Sequence, residues 1–354
     1  MGTVRIVALL VLAPLASAPG AQSVRLNGAL AQPGAGDVTD FAFSCFGAHV
    51  IFRADQATDE VFELFAGPRD GSAPALRLHA PLAGGQDVLV FAAAAGERVV
   101  FVADLDADEL FELWSAPLDA SAAPTRLSGT LVAGGDVLDF QLTPDGTHAV
   151  FQADAMVNAV AELFSVPIDG SAAPLRLDPL GRNSTLYRIS HDGSFVVFAN
   201  GPGFSDERLY RVPLDASQAP VFLAHSGPIG FASYTFFADV SLSADGQHAA
   251  CTAVELYLDR GFCVEEYSTL LGLDLVSATA TRLNPLDYFC YVPPVALAGE
   301  RVLFREIDGR LVSVLDDASD RLTIGMAVSE FVLTPDEAQV LFLAGSAGAT
   351  SLLV

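Results

Sequence analysis

Short apolar segments alternate with clusters of turn residues along most of this chain. The clearest segment is an aliphatic pair followed by an aromatic residue, with Ala249–Cys251 as a divergent copy. Continuous apolar runs of this length, bounded by Gly, Asp and Pro, predict strands buried on both faces. The six regular copies are Val50–Phe52, Val99–Phe101, Ala149–Phe151, Val196–Phe198, Val302–Phe304 and Val340–Phe342.

A second motif, which ends in Arg-Leu, recurs in step with the first. Its three best copies carry Pro74, Pro124 and Pro174, which are fifty residues apart. Repetition at this period indicates an architecture built from one supersecondary unit. The copies are Ser72–Leu78, Ser121–Leu127, Ser171–Leu177, Ser217–Leu223, Ser277–Leu283, Ala318–Leu322 and, near the N-terminus, Arg25–Leu26.

Two further elements complete each unit. A Glu-Leu-aromatic strand occurs at Glu63–Phe65 and Glu112–Trp114, and a Thr-Pro-Asp-Gly turn occurs at Thr143–Gly146. In such a turn proline presets φ and glycine accepts the left-handed conformation. Each unit therefore reads as four antiparallel strands, which is typical of a β-propeller blade.

The count of these strands predicts an all-β, seven-bladed propeller. Ser351–Val354 reads as a third strand, and Val24–Leu26 reads as a fourth strand without a preceding third. The N-terminal strand is therefore expected to close the last blade, which leaves no unpaired sheet edge. The uneven repeat lengths after residue 176 keep a six-bladed ring as the alternative.

The Thr143–Gly146 turn, the apolar strand after it and the Glu162–Phe164 strand resemble the PD40, or WD40-like, repeats of TolB-type propellers. Related repeats also form the propeller of prolyl-oligopeptidase-like enzymes. The resemblance implies a propeller fold and an exported binding module, and it transfers no catalytic residue and no partner.

The N-terminus is typical of a secretory signal. Arg5 precedes the apolar run Ile6–Leu15, which is too short to span a bilayer, and small residues follow it. We therefore predict a signal peptide over 1–21 and a single propeller domain over 22–354. The mature protein is expected to be periplasmic or secreted, monomeric and without a membrane-inserted segment.

Charge adds an expectation about partners. The chain has 43 acidic and 18 basic residues, a net charge of −25 and no lysine. Such a surface repels nucleic acid and favours basic or cationic partners.

Because strands alternate in direction, the loops after each second and fourth strand share one end of the ring, here called the loop face. The two tight turns of each unit share the other end, the turn face.

Acidic residues concentrate in the predicted loop face. The candidate binding residues are Asp37, Asp55, Asp59, Asp87, Asp104, Asp106, Asp108 and Asp136. Carboxylate oxygens suit Ca²⁺, and Asp104, Asp106 and Asp108 alternate like the start of a calcium loop, although the later ligands of that motif are missing. The alternative is that these residues cap loops and the starts of strands.

Cysteines and catalytic motifs complete the sequence picture. Export permits disulfides, and Cys263 and Cys290 are expected to form one, pinning an insertion over Glu255–Tyr267. Cys45 and Cys251 are read as small buried residues.

Nucleophile-elbow, P-loop and dinucleotide-binding motifs are missing. The sequence thus favours a non-catalytic scaffold that needs no cofactor, with a channel-sited hydrolase or lyase and a calcium-stabilised structural protein as alternatives.

Overall fold

A computed structural model of the chain describes residues 24–28, 36–178, 182–202, 207–226, 234–259, 262–283, 295–305, 310–334, 338–346 and 349–353. The regular structure in these ranges is β-strand, as the repeat predicts. None of the described residues form a helix long and apolar enough to cross a membrane. The predicted signal peptide over 1–21 lies outside the described ranges.

The first three sheets follow the predicted unit. Each contains four antiparallel strands in chain order, and the last strand of each is only two residues long. The bounds are β1 (Val38–Phe43), β2 (His49–Ala54), β3 (Glu63–Pro68), β4 (Leu76–Arg77); β5 (Val88–Ala94), β6 (Arg98–Ala103), β7 (Glu112–Pro117), β8 (Thr125–Arg126); β9 (Val137–Leu142), β10 (His148–Ala153), β11 (Glu162–Pro167) and β12 (Leu175–Arg176).

Four more sheets follow, and the last of them has three strands in the described residues. Their bounds are β13 (Asn183–Ile189), β14 (Phe195–Gly201), β15 (Arg208–Pro213), β16 (Val221–His225); β17 (Tyr234–Leu242), β18 (His248–Asp259), β19 (Phe262–Asp274), β20 (Thr279–Arg282); β21 (Val295–Ala298), β22 (Arg301–Arg305), β23 (Leu311–Leu315), β24 (Leu322–Gly325); β25 (Val328–Leu333), β26 (Val340–Ser346) and β27 (Ala349–Leu353).

Consecutive sheets pack face to face in chain order. Ile51 of the first sheet meets Phe101 and Trp114 of the second in one apolar cluster, and further clusters join each later pair of sheets. Successive side chains of the second strand of each sheet are buried on opposite faces of that sheet. This explains why the sequence of the strand is a continuous apolar run.

First strands of neighbouring sheets lie beside one another and are called the inner strands here. The first strands of neighbouring sheets contact one another, as β1 does with β5, β13 with β17, β17 with β21 and β21 with β25. The fourth strands lie at the opposite edge of their sheets. This order places the loop-face and turn-face residues at opposite ends of the sheets.

The expected insertion over Glu255–Tyr267 takes the form of a long hairpin that continues β18 and β19. In it Glu255 pairs with Tyr267 and Asp259 pairs with Phe262. The sequence did not predict this strand extension, because the alternation of the segment is as compatible with longer strands as with a polar loop. The expected Cys263–Cys290 disulfide lies outside what the structure describes, because residues 284–294 and the Cys263 side chain are not covered.

The other two cysteines differ from each other. Cys251 is buried in β18, as predicted, and burial raises the pKa of its thiol far above the usual value. Cys45 is exposed, so its reading as a buried residue was wrong. It lies in the turn between β1 and β2, where its Sγ atom donates to the Ala94 carbonyl of the second sheet at 3.2 Å.

The N-terminal residues 24–28 run along the first sheet without forming a strand of their own. A Cβ atom on Gly71 would collide with Val24 and approach Leu26. The equivalent glycine of the third sheet, Gly170, has the same relation to Thr125 and Leu127 around β8. Val24–Leu26 therefore occupies, against the first sheet, the place that the fourth strand of a preceding sheet occupies elsewhere.

Candidate functional site

The predicted loop-face aspartates divide into two groups, and the first group ties loops together. Asp104 is fully buried after β6. Its Oδ1 accepts the Asp87 N–H at 2.6 Å and its Oδ2 accepts the Glu109 N–H at 3.1 Å. Asp55 bonds in the same way to the N–H groups of Asp37 and Glu60.

These bonds hold an unusual backbone conformation in place. Glu60, Glu109 and Ala159 have φ values of 59°, 60° and 63°, and none of them is glycine. Such left-handed residues cost energy unless the surroundings fix them. Each has its N–H bonded to the aspartate five residues earlier, and in the third sheet this residue is Asp154. The recurrence of the aspartate thus has a structural cause.

Asp87 and Asp136 tie each sheet to the one before it. Asp87 Oδ1 accepts the Phe62 N–H at 2.7 Å, and Asp136 Oδ1 accepts the Phe111 N–H at 2.9 Å. Burial raises the pKa of Asp87, and the negative charges of Asp104 and Asp108 raise it further. Asp37 is at the equivalent position of the first sheet and is exposed.

The second group consists of exposed carboxylates. Asp59, Asp106 and Asp108 lie on the loops after β2 and β6, with their side chains in solvent. Asp106 also approaches Arg126 at 3.3 Å. Asp108 lies beside Gly85, which belongs to the loop that leads into β5. That contact confirms, for these two loops, that the connections after second and fourth strands share one face.

Sequence reasoning missed an ion pair between a buried glutamate and a more exposed arginine in each of the first three sheets. The Glu of the Glu-Leu-aromatic motif pairs with the Arg of the Arg-Leu motif fourteen residues later, at 2.9 Å in all three sheets. The two motifs recur together because the third and fourth strands are neighbours. The pairs are Glu63–Arg77, Glu112–Arg126 and Glu162–Arg176.

A polar cluster on the inner strands was also missed. A β-bulge in β9 places Asp139 opposite Gln152, and a bulge in β17 places Asp239 opposite Thr252. Bulges of this kind re-aim the next side chain. The same position holds Asp40 in the first sheet and Glu330 in the seventh, as their pairing registers show.

This inner-strand cluster connects three sheets. The buried Tyr187 hydroxyl donates to Asp139 Oδ2 at 3.2 Å, and Arg188 pairs with Asp239 at 2.8 Å. Asp139 is solvent-accessible, yet the surrounding protein raises its pKa through desolvation.

Two of the histidines form contacts between neighbouring sheets. His49 pairs with Glu97 at 2.8 Å and His248 pairs with Asp316 at 2.7 Å, and both contacts join neighbouring sheets at the turn face. Across the described ranges no group of three or more His, Cys, Asp and Glu side chains is arranged to hold a metal ion. Both oxygens of Asp104 already accept backbone N–H groups.

No protein-family model matches the chain, and no curated protein sequence matches it. Solved structures with a similar fold do exist. The tricorn protease aligns with 89% of this chain at 13% identity and a TM-score of 0.48, and the chain spans 33% of that protein.

An oligogalacturonate lyase in complex with manganese aligns with 88% of the chain at 14% identity and a TM-score of 0.46, over 86% of its own length. A TolB-like protein from Agrobacterium tumefaciens aligns with 80% of the chain at 14% identity and a TM-score of 0.39, over 79% of its length. The neighbours thus include a TolB-like protein. They also include a protease and a lyase, and similarity at this level assigns no activity to this chain.

Proposed function

We propose that this chain is an exported, non-catalytic β-propeller that binds a basic or cationic protein or ligand through its acidic loop face. The observation that carries the proposal is the group of exposed carboxylates on that face, Asp59, Asp106 and Asp108, whose oxygens do not cap the loops as Asp104 does. The net charge of −25 extends the attraction over the whole molecule. Export rests on the signal-like segment over 1–21.

The same proposal includes a ring of seven blades. Seven successive sheets are formed by the described residues, and the seventh has three strands there. The missing fourth strand is Val24–Leu26, which already lies against the first sheet in the place of a preceding fourth strand. A rigid ring suits a scaffold, because binding residues on loops are then held by a fixed framework.

A capture experiment with a matched control tests the binding proposal. Asp59→Asn/Asp106→Asn/Asp108→Asn removes three charges from the loop face, and Asp70→Asn/Asp119→Asn/Asp169→Asn removes three from the turn face. The turn-face aspartates accept N–H groups from Ser72, Ser121 and Ser171, a role that asparagine also performs.

We expect the wild-type protein and the turn-face variant to capture basic proteins from an extract of exported proteins. The loop-face variant should not capture them. Equal capture by all three proteins would contradict the proposal. Repeating the capture in EDTA tests the calcium alternative, which predicts that chelation lowers both capture and the melting temperature.

A second candidate, a hydrolase or lyase, is favoured by the inner-strand cluster. Asp139 has a raised pKa and a tyrosine donor, and Arg188 is held nearby by Asp239. A carboxyl group with a raised pKa can take part in general acid–base catalysis. The scaffold proposal predicts no turnover across a panel of polysaccharides and glycans, whereas turnover that Asp139→Asn abolishes would establish the enzyme.

A further inference from the structure

A groove of about 420 Å³ lies on the turn face between the second and third sheets. A volume of this size is within the range of small-ligand sites. Arg98 of the second sheet lines it, and so do Thr147 and Ile168 of the third sheet. Gly96 also lines it, and a Cβ atom on this glycine would meet nothing within 4 Å. The groove therefore combines open space with a guanidinium group.

Arg98 occupies a position whose side chain pairs with a carboxylate in three other sheets. It is the first residue of the second strand of its sheet. The three equivalent pairs are His49–Glu97, His248–Asp316 and Arg301–Asp320. Arg98 itself forms no ion pair with the residues that the structure describes. Its Nε donates to Ser115 Oγ at 2.9 Å and its Nη2 donates to the Ser115 carbonyl at 3.5 Å, which leaves Nη1 without a partner in the described ranges.

The positions that supply the carboxylate in the other sheets hold neutral residues around Arg98. The equivalences follow from the strand bounds, the turn hydrogen bonds and the pairing of third with fourth strands. Thr147 corresponds to Glu97, Ile168 to Asp316 and Ala123 to Asp320. The sequence of this interface thus removes the protein's own carboxylate while it keeps the cation.

Arg301 gives the sharpest comparison with Arg98. It donates to Ser313 Oγ at 3.0 Å, as Arg98 donates to Ser115, and it pairs with Asp320 as well. The environment of Arg98 differs from that of Arg301 in the missing carboxylate.

We infer that this groove binds the carboxylate group of a ligand, which takes the place of the protein carboxylate found in the equivalent pairs. Arg98 Nη1 is the donor that remains for it, and a guanidinium binds a carboxylate through charge-assisted hydrogen bonds. The Thr147 hydroxyl does not compete for Arg98, because it donates to Asp145 Oδ2 at 2.9 Å. Pro167 and Ile168 line the same groove and suit an aliphatic group beside the carboxylate.

Asp169 limits the charge of the ligand. It lines the groove, and its Oδ1 accepts the Ser171 N–H at 2.9 Å. The pKa of Asp169 is lowered by its hydrogen bonds to Ser171 and, less strongly, by the positive charge of Arg98. A second negative charge on the ligand would be repelled by Asp169, so a monocarboxylate fits better than a dianion such as phosphate. Charges farther away than about 8 Å are screened at physiological salt, so the net charge of −25 does not prevent this contact.

The groove is on the turn face, so this inference goes beyond the proposed function and does not depend on it. Titration followed by NMR tests it with two probes, N-acetyl-dialanine, which has one carboxylate, and its C-terminal amide, which has none. We expect the wild-type protein to bind the acid about tenfold more tightly than the amide. Butanoate distinguishes the two sources of a carboxylate: binding as tight as that of the dipeptide assigns the groove to small acids, and weaker binding assigns it to peptide C-termini.

Three variants assign the binding to Arg98. Arg98→Gln should weaken binding of N-acetyl-dialanine about tenfold. Thr147→Glu restores a carboxylate at the position of Glu97 and should abolish binding by pairing with Arg98, while it keeps the bonds of Arg98 to Ser115. Arg301→Gln is the matched control and should leave the affinity unchanged, because Asp320 already occupies that arginine.

Equal affinity of the wild-type protein for the acid and the amide overturns the inference. Wild-type affinity of the Arg98→Gln or the Thr147→Glu protein for N-acetyl-dialanine overturns it as well. The capture of basic proteins by the loop face does not enter these titrations, so the two proposals fail separately.

Discussion

Asp104→Asn should destabilise the protein by about 2–4 kcal/mol, although it changes only one atom of a side chain on the acidic loop face. The carboxylate accepts two backbone N–H groups, from Asp87 and Glu109. Asparagine has one acceptor oxygen, so its amide group would face an N–H in a fully buried site. Urea unfolding of both proteins measures the difference.

Asp108→Asn is the matched control for Asp104→Asn. Asp108 is four residues away on the same loop and is exposed. The control should change the free energy of unfolding by less than about 0.5 kcal/mol. Equal losses in the two variants would show that the loop aspartates do not divide into structural and exposed groups.

Arg126→Met should destabilise the protein by about 2 kcal/mol at pH 7, because it leaves the Glu112 carboxylate buried without its partner. Glu112 is 1% exposed and pairs with Arg126 at 2.9 Å, whereas Arg126 is 38% exposed. Loss of the partner therefore costs less free energy for Arg126, which water can solvate, than for Glu112. Glu112→Gln should consequently cost less than Arg126→Met. Arg126→Met/Glu112→Gln should recover part of the loss.

The pH dependence of Arg126→Met gives an independent check. Burial raises the pKa of Glu112, and Arg126 partly offsets this effect. Removing Arg126 raises the folded-state pKa further above the unfolded value. A group with a raised folded pKa stabilises the fold below its unfolded pKa and loses that contribution as the pH rises through the folded pKa. The loss in free energy of unfolding caused by Arg126→Met should therefore be larger at pH 7 than at pH 4. A loss that grows on acidification would contradict the account.

Much of the fold was predictable because one unit is repeated. The aliphatic-aromatic run of each second strand follows from burial on both faces, and the Thr143–Gly146 turn follows from local chemistry: Gly146 has a φ of +67° and Thr143 accepts the His148 N–H. The long β18–β19 hairpin was not predicted, because strand length beyond the repeat leaves no turn signal in the sequence.

The candidate site was less predictable, because its residues depend on contacts between sheets. The sequence placed Asp55, Asp104 and Asp87 on one face without separating them from Asp59 and Asp108. The left-handed backbone at Glu60 and Glu109 explains the role of Asp55 and Asp104, and glutamate does not signal that conformation. The role of Asp87 depends on the Phe62 N–H of the previous sheet. The inner-strand cluster depends on bulges, which shift the register by one residue and so change which side chain meets the neighbouring sheet.

The most direct test of the proposed function is the affinity of an arginine-rich peptide at increasing salt. Calorimetric titration should show that the Asp59→Asn/Asp106→Asn/Asp108→Asn protein binds about fivefold or more weakly than the Asp70→Asn/Asp119→Asn/Asp169→Asn protein at low salt. Both variants lose the same charge, so a difference isolates the loop face. The account predicts that this difference shrinks as salt screens it, and equal affinities at low salt would contradict it.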